Sequence, residues 1–100
     1  MEKSDRSKPD VLYEAILTLK DVGECKRFFQ DLCTVSELHA MEQRIEVAIL
    51  LGKGMIYNDI LELTGASSAT ISRVNRALQY GADGYKAVLP RLGEKADGDV

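Results

Sequence analysis

The chain is expected to be all-α, with about six short helices, and three observations carry that class. Apolar residues recur at helical spacing in one segment after another. A helix-start signal, Thr-x-x-Glu, precedes the longest of these segments. No stretch alternates apolar and polar residues in the manner of a half-buried strand. With 100 residues, 45% of them hydrophobic, the chain holds one domain and a modest core. A core of that size gains stability by being shared with a second copy.

Residues 1–9 are polar and end at Pro9, which predicts a flexible N-terminal tail. Asp10 is placed to cap a helix over residues 11–20, where Leu12, Ile16 and Leu19 share a face. Residues 21–23 break it, and a second helix is expected over 24–32 with Phe28, Phe29 and Leu32 as anchors. The sequence TVSE at 34–37 is a capping box, with Thr34 capping the start and Glu37 reaching back. The helix it starts is expected to run to about residue 51. Leu38, Met41, Ile45 and Ala48 form its apolar stripe, and Val47, Ile49, Leu50 and Leu51 widen it. A band that broad calls for burial on several sides. The glycines of residues 52–54 end it. Short helices are expected over 56–64 and 67–79, separated by Gly65. A turn at 80–84 leads to a last short helix marked by Tyr85, Val88 and Leu92, which Pro90 distorts or shortens. Residues 93–100 predict a flexible C-terminal tail, so residues 10–92 form the single folded domain.

A formal charge of −3 argues against a nucleic-acid binder that works by bulk charge. It leaves open a local neutral-to-basic face, so the distribution of charge matters more than its sum. No segment has the roughly 18 apolar residues of a membrane helix, and the N-terminus lacks the apolar run of a signal peptide. The expected location is therefore cytoplasmic, with no membrane partner. Cys25 and Cys33 lie on one expected helix, roughly 12 Å apart at 1.5 Å per residue. That separation rules out an intrachain disulfide and makes them packing residues.

The stretch TGASSATISRVNRAL, residues 64–78, concentrates the functional signal. A helix-turn-helix needs a short helix, a tight turn that tolerates glycine and a second helix held across the first. Ile60 and Leu61 supply the apolar contacts of the first helix, Gly65 sits at the turn, and Ala66 is small enough for close helix approach. Ile71, Val74 and Leu78 recur at i, i+3 and i+7 and pack inward. Ser68, Ala69, Ser72, Arg73 and Arg76 then face outward. From Leu63 to Ala82 there is no Asp or Glu, although the chain as a whole is acidic. Small residues allow close backbone approach, the helix N-terminus suits a phosphate, and the two arginines reach phosphates or guanine edges. The expected DNA-binding residues are Ser67, Ser68, Ala69, Thr70, Ser72, Arg73 and Arg76. An amphipathic helix with a merely solvated or protein-binding face is the alternative.

TVSELHAMEQRI followed by TGASSATISR is similar to the Trp repressor superfamily, and within it to the YerC/YecD-type branch of small TrpR-like proteins. The resemblance implies an intertwined homodimer whose N-terminal helices interlock, which fits the broad apolar band at 38–51. It implies binding to double-stranded DNA at a palindromic operator, with two recognition helices about one turn, roughly 34 Å, apart. The Trp repressor is itself a reference case for that docking geometry. The resemblance also implies an effector site in which Arg44 and Arg73 match the two arginines flanking the repressor's amino-acid ligand. Thr34 and Thr70 match nearby polar positions. Val74 stands where the repressor has glycine, Ala77 where it has serine, and Leu38 where it has arginine. A valine there obstructs an indole, which argues against tryptophan and leaves another amino acid or small metabolite as the effector class. The alternative for Arg44 is an ion pair with a neighbouring carboxylate.

An enzyme is not expected. No Gly-rich phosphate loop or nucleophile motif is present, and the only histidine, His39, lies in no motif. A Cys25/Cys33/His39 metal site matches no zinc spacing in common use. No catalytic residue, metal or cofactor is therefore assigned. A protein-interaction module on a helix-turn-helix scaffold is the rival to a sequence-specific transcriptional regulator.

Overall fold

The computed structural model describes the backbone of residues 10–99 and the side chains of residues 10–92. Among the described residues there are six helices and no strands: α1 (Asp10–Leu17), α2 (Val22–Leu32), α3 (Val35–Gly52), α4 (Tyr57–Thr64), α5 (Ser68–Tyr80) and α6 (Gly84–Asp99). The expected tail at residues 1–9 lies outside the described residues. The chain divides into two compact units, Met1–Leu38 and His39–Val100, the division falling within α3.

In the first unit, local hydrogen bonding sets the helix starts. Asp10 is the first residue of α1 rather than its cap, and contributes a negative charge to the first turn. α1 ends at Leu17, short of the expected residue 20, and the Thr18 hydroxyl donates to the Ala15 carbonyl at 2.7 Å just beyond it. α2 starts at Val22 and contains Gly23, which the sequence reading placed in the break. The cause is a side-chain cap: an Asp21 carboxylate oxygen accepts from the Glu24 N–H at 2.8 Å, and Glu24 Oε1 reaches back to accept from the Lys20 N–H at 2.9 Å. The expected capping box before α3 is formed. Thr34 Oγ1 accepts from the Glu37 N–H at 3.1 Å, and Glu37 Oε1 accepts from the Thr34 N–H at 2.8 Å. Phe28 and Phe29 meet edge to face with centroids 5.6 Å apart. No described side chain of residues 10–38 is fully buried, and Val11, Tyr13, Leu17, Val22 and Val35 are exposed.

The second unit holds the buried core. Val47 and Ala48 of α3, Ile60 of α4, Ala66 of the following turn, and Ile71 and Val74 of α5 are all at or below 1% exposure. Leu50, Leu51, Met55, Leu61, Leu78, Tyr85 and Leu89 pack around them. α4 and α5 are in contact, and Ala66, expected to be small for close helix approach, is buried at the turn between them. α6 packs on α5 and continues through Pro90 to Asp99, past residue 93, where the sequence reading begins a tail. Pro90 removes one backbone donor without ending the helix. Among the described residues no helix is long and apolar enough to cross a membrane.

Two glycines carry the turns around α5 for different reasons. Gly65 ends α4 in the left-handed region at φ 73°, where a side chain is strained although the space around it is open. Gly81 caps α5 at an ordinary φ of −86°, but a Cβ there would strike the Ala77 carbonyl oxygen. Gly65→Ala is expected to cost about 1–2 kcal/mol, the ordinary left-handed penalty. Gly81→Ala is expected to destabilise although its φ suits alanine, because the backbone must shift to relieve the contact. Urea unfolding of both variants checks this, and a neutral Gly81→Ala would contradict the packing described.

Candidate nucleic-acid interface

Helix α5 presents the candidate site because its ends and inner face are fixed locally. Ser67 is its N-cap, with the hydroxyl oxygen accepting from the Thr70 N–H at 3.1 Å. The same hydroxyl donates to Thr70 Oγ1 at 3.1 Å. Ser67 and Thr70 therefore spend much of their hydrogen-bonding capacity on the helix start. Ile71 and Val74 are buried and Leu78 packs beside them, so the opposite side of the helix must face out.

The turn before α5 is held by two side chains. Thr64 Oγ1 donates to the Ile60 carbonyl at 2.7 Å and accepts from the Ala66 N–H at 3.0 Å. Gln43 of α3 donates through Nε2 to the Thr64 carbonyl at 3.2 Å. These bonds satisfy backbone groups where α4 gives way to α5, beside fully buried Ala66. The sequence reading assigned neither residue this role. A glutamine three residues from the apolar Ala40 and four before Val47 was the available signal, and it does not reveal a partner 21 residues away.

Ala69, Ser72, Arg73, Arg76, Ala77, Tyr80 and Gly81 line an open groove of about 770 Å³ along the outward side of α5. It brings together the expected residues Ala69, Ser72, Arg73 and Arg76. Ser68 is exposed on the first turn and Ser67 and Thr70 form the cap, all three outside that lining. Ala77, Tyr80 and Gly81 are additions, and Tyr80 joins them because the helix runs one residue past its expected end at Gln79. Among the described residues, the ion pair is Lys86 with Asp83 at 3.4 Å, so Arg73 and Arg76 have no carboxylate partner there. The same is true of Arg44, which corrects the ion pair offered as its alternative. Arg44 is exposed on α3 and is not part of the groove lining. Thr34 belongs to the other unit, where it is engaged in the capping box. Val74 sits in the core at 1% exposure.

A second, apolar pocket of about 400 Å³ lies among Ile45, Ala77, Ala82, Gly84, Tyr85 and Val88. Cys25 and Cys33 are free, half-buried thiols. Among the described residues no three His, Cys, Asp or Glu side chains gather as a metal site.

A short helix, a glycine turn and a second helix with an acid-free cationic groove define a helix-turn-helix protein. The chain belongs to the Trp repressor family: the family model described as Trp repressor protein matches residues 7–93. It is 53% identical over 85 residues to the uncharacterized protein YerC of Bacillus subtilis, a match covering 85% of this chain and 82% of that protein. Among solved structures it is similar to a Trp-repressor-type protein from Staphylococcus aureus, with TM-score 0.82, 43% identity, and coverage of 93% of this chain and 96% of the other. It is also similar to a TrpR-like protein from Eubacterium eligens, with TM-score 0.81, 50% identity, and coverage of 91% and 96%.

The turn chemistry makes its own prediction. Thr64→Val keeps the shape but leaves the Ala66 N–H without its partner, and is expected to cost about 1–3 kcal/mol in urea unfolding with an unchanged m-value. Thr18→Val, which removes an exposed bond of the same length, is expected to cost less. Equal effects would contradict the role given to Thr64.

Proposed function

We propose that this protein is a sequence-specific DNA-binding transcriptional regulator, a repressor, that acts as a homodimer and inserts α5 into the major groove of a palindromic operator. The observation that carries this reading is the outward face of α5. In a chain of net charge −3, Arg73 and Arg76 line an open groove with small neighbours, on a stretch from Leu63 to Ala82 free of acidic residues. Repulsion from DNA is thereby removed where the chain approaches it, while the small side chains at Ser68, Ala69 and Ser72 let the helix backbone come close to base edges. Arg73 and Arg76 are assigned to phosphates or a guanine edge. Ser67 and Thr70 act mainly by holding the N-terminus of the helix, whose free N–H groups suit a phosphate. Membership of the Trp repressor family supports the regulator class.

The homodimer is supported by the burial pattern of residues 10–38. Their helices carry apolar faces, yet no described side chain there is fully buried. A second copy covering those faces would supply burial at about 25 cal/mol per Å² of apolar surface. An effector-responsive form of the same reading draws on Arg44 and Arg73, both exposed cations without a carboxylate partner among the described residues.

Two outcomes are expected. Wild-type protein binds a mixed-sequence duplex with an affinity that falls steeply as salt rises, and Arg73→Ala and Arg76→Ala each lower the slope of log K against log salt by about 1. Fluorescence anisotropy across a salt series measures this, and binding that ignores both substitutions would refute the assigned face. Leu12→Glu, on the apolar face of α1, is expected to convert a dimer to a monomer in sedimentation equilibrium. A dimer of unchanged strength would remove that face from the interface.

A further inference from the structure

We propose that Tyr80 extends the DNA interface beyond the arginines, its phenol O–H donating to a phosphate oxygen where α5 emerges from the groove. The inference rests on the DNA-binding reading and adds a residue to it. Ala69, Arg73, Arg76 and Tyr80 follow at i, i+4, i+7 and i+11, so at about 100° per residue they fall within an arc of roughly 40–60°. All four line the same open groove.

Tyr80 closes that row and is 81% exposed, so its ring is not spent on the core that Ile71, Val74 and Leu78 serve. Its neighbour Gly81 also lines the groove and carries no side chain to crowd an approaching strand. From Ala69 to Tyr80 the helix rises roughly 16 Å, about twice the 8.5 Å depth of the major groove. With the N-terminal turn of α5 at the base edges, the far end of the row stands at the height of the sugar-phosphate wall. A phenol there meets phosphate oxygens, which accept from tyrosine hydroxyls, rather than bases. The contact is uncharged, so it strengthens binding without releasing a counterion.

That last property separates Tyr80 from the arginines. Tyr80→Phe removes one oxygen from an exposed position and is expected to leave the melting temperature unchanged. On the mixed-sequence duplex it should weaken binding about tenfold, the effect of losing one hydrogen bond to a charged acceptor. The slope of log K against log salt should stay at the wild-type value, whereas Arg76→Ala flattens it by about 1. Wild-type affinity in Tyr80→Phe, with Arg76→Ala still weakened, overturns the Tyr80 contact and leaves the DNA-binding reading standing. Weakening by Tyr80→Ala alone would assign the contact to the ring and overturn the hydrogen bond. No duplex binding by the wild-type protein would overturn the reading on which the proposal rests.

Discussion

The packing of α4 against α5 over Ala66 is the contact on which the rest of the second unit depends. Ala66 is at 1% exposure, with Ile60 on one side of the turn and Ile71 and Val74 on the other. Val47 and Ala48 of α3 join the same cluster. A helix has no freedom to rotate about its axis once two residues a turn apart are buried. Fixing Ile71 and Val74 inward therefore fixes Ala69, Arg73, Arg76 and Tyr80 outward. The hydrogen bonds of Thr64 and Gln43 hold the turn at the place where a shift would re-aim the whole face.

The two units differ in how they meet the burial requirement. The second has a set of side chains withdrawn from solvent within one chain. The first has capped, amphipathic helices whose apolar residues remain partly or largely exposed. Two of its helix starts are fixed by side chains, Asp21 and Glu24 at the start of α2 and Thr34 and Glu37 at the start of α3. Sequence that invests in defined helix ends while leaving apolar faces uncovered is suited to packing against another chain. This is the physical content of the proposed dimer, and it also fits the broad apolar band of α3, of which only Val47 and Ala48 are fully buried.

What was legible in the sequence was what depends on near neighbours in the chain. The Thr34–Glu37 box, the glycine turn at Gly65, the inward triplet of Ile71, Val74 and Leu78, and the acid-free outward face all follow from spacing within a few residues. Gly23 suggests a break and a later start for α2, but the Asp21–Glu24 cap carries the helix across it. The glycine after Tyr80 suggests an earlier end for α5, but the Gly81 N–H bonds to the Ala77 carbonyl at 2.9 Å and keeps Tyr80 in the helix. The bond from Gln43 to Thr64 was not legible, since it spans 21 residues and leaves no periodic trace. α6 outruns its expected end because Pro90 costs it one donor but leaves the helical φ of its own residue intact.

The central claim is that a dimer reads DNA through α5. It is tested most directly by selecting a random duplex library on the purified protein at moderate salt and reading the bound sequences. The account predicts recovery of a palindrome whose half-sites are centred about one helical turn apart, roughly 34 Å. A pool that stays random, both with the protein alone and with a panel of amino acids including tryptophan present, would contradict it.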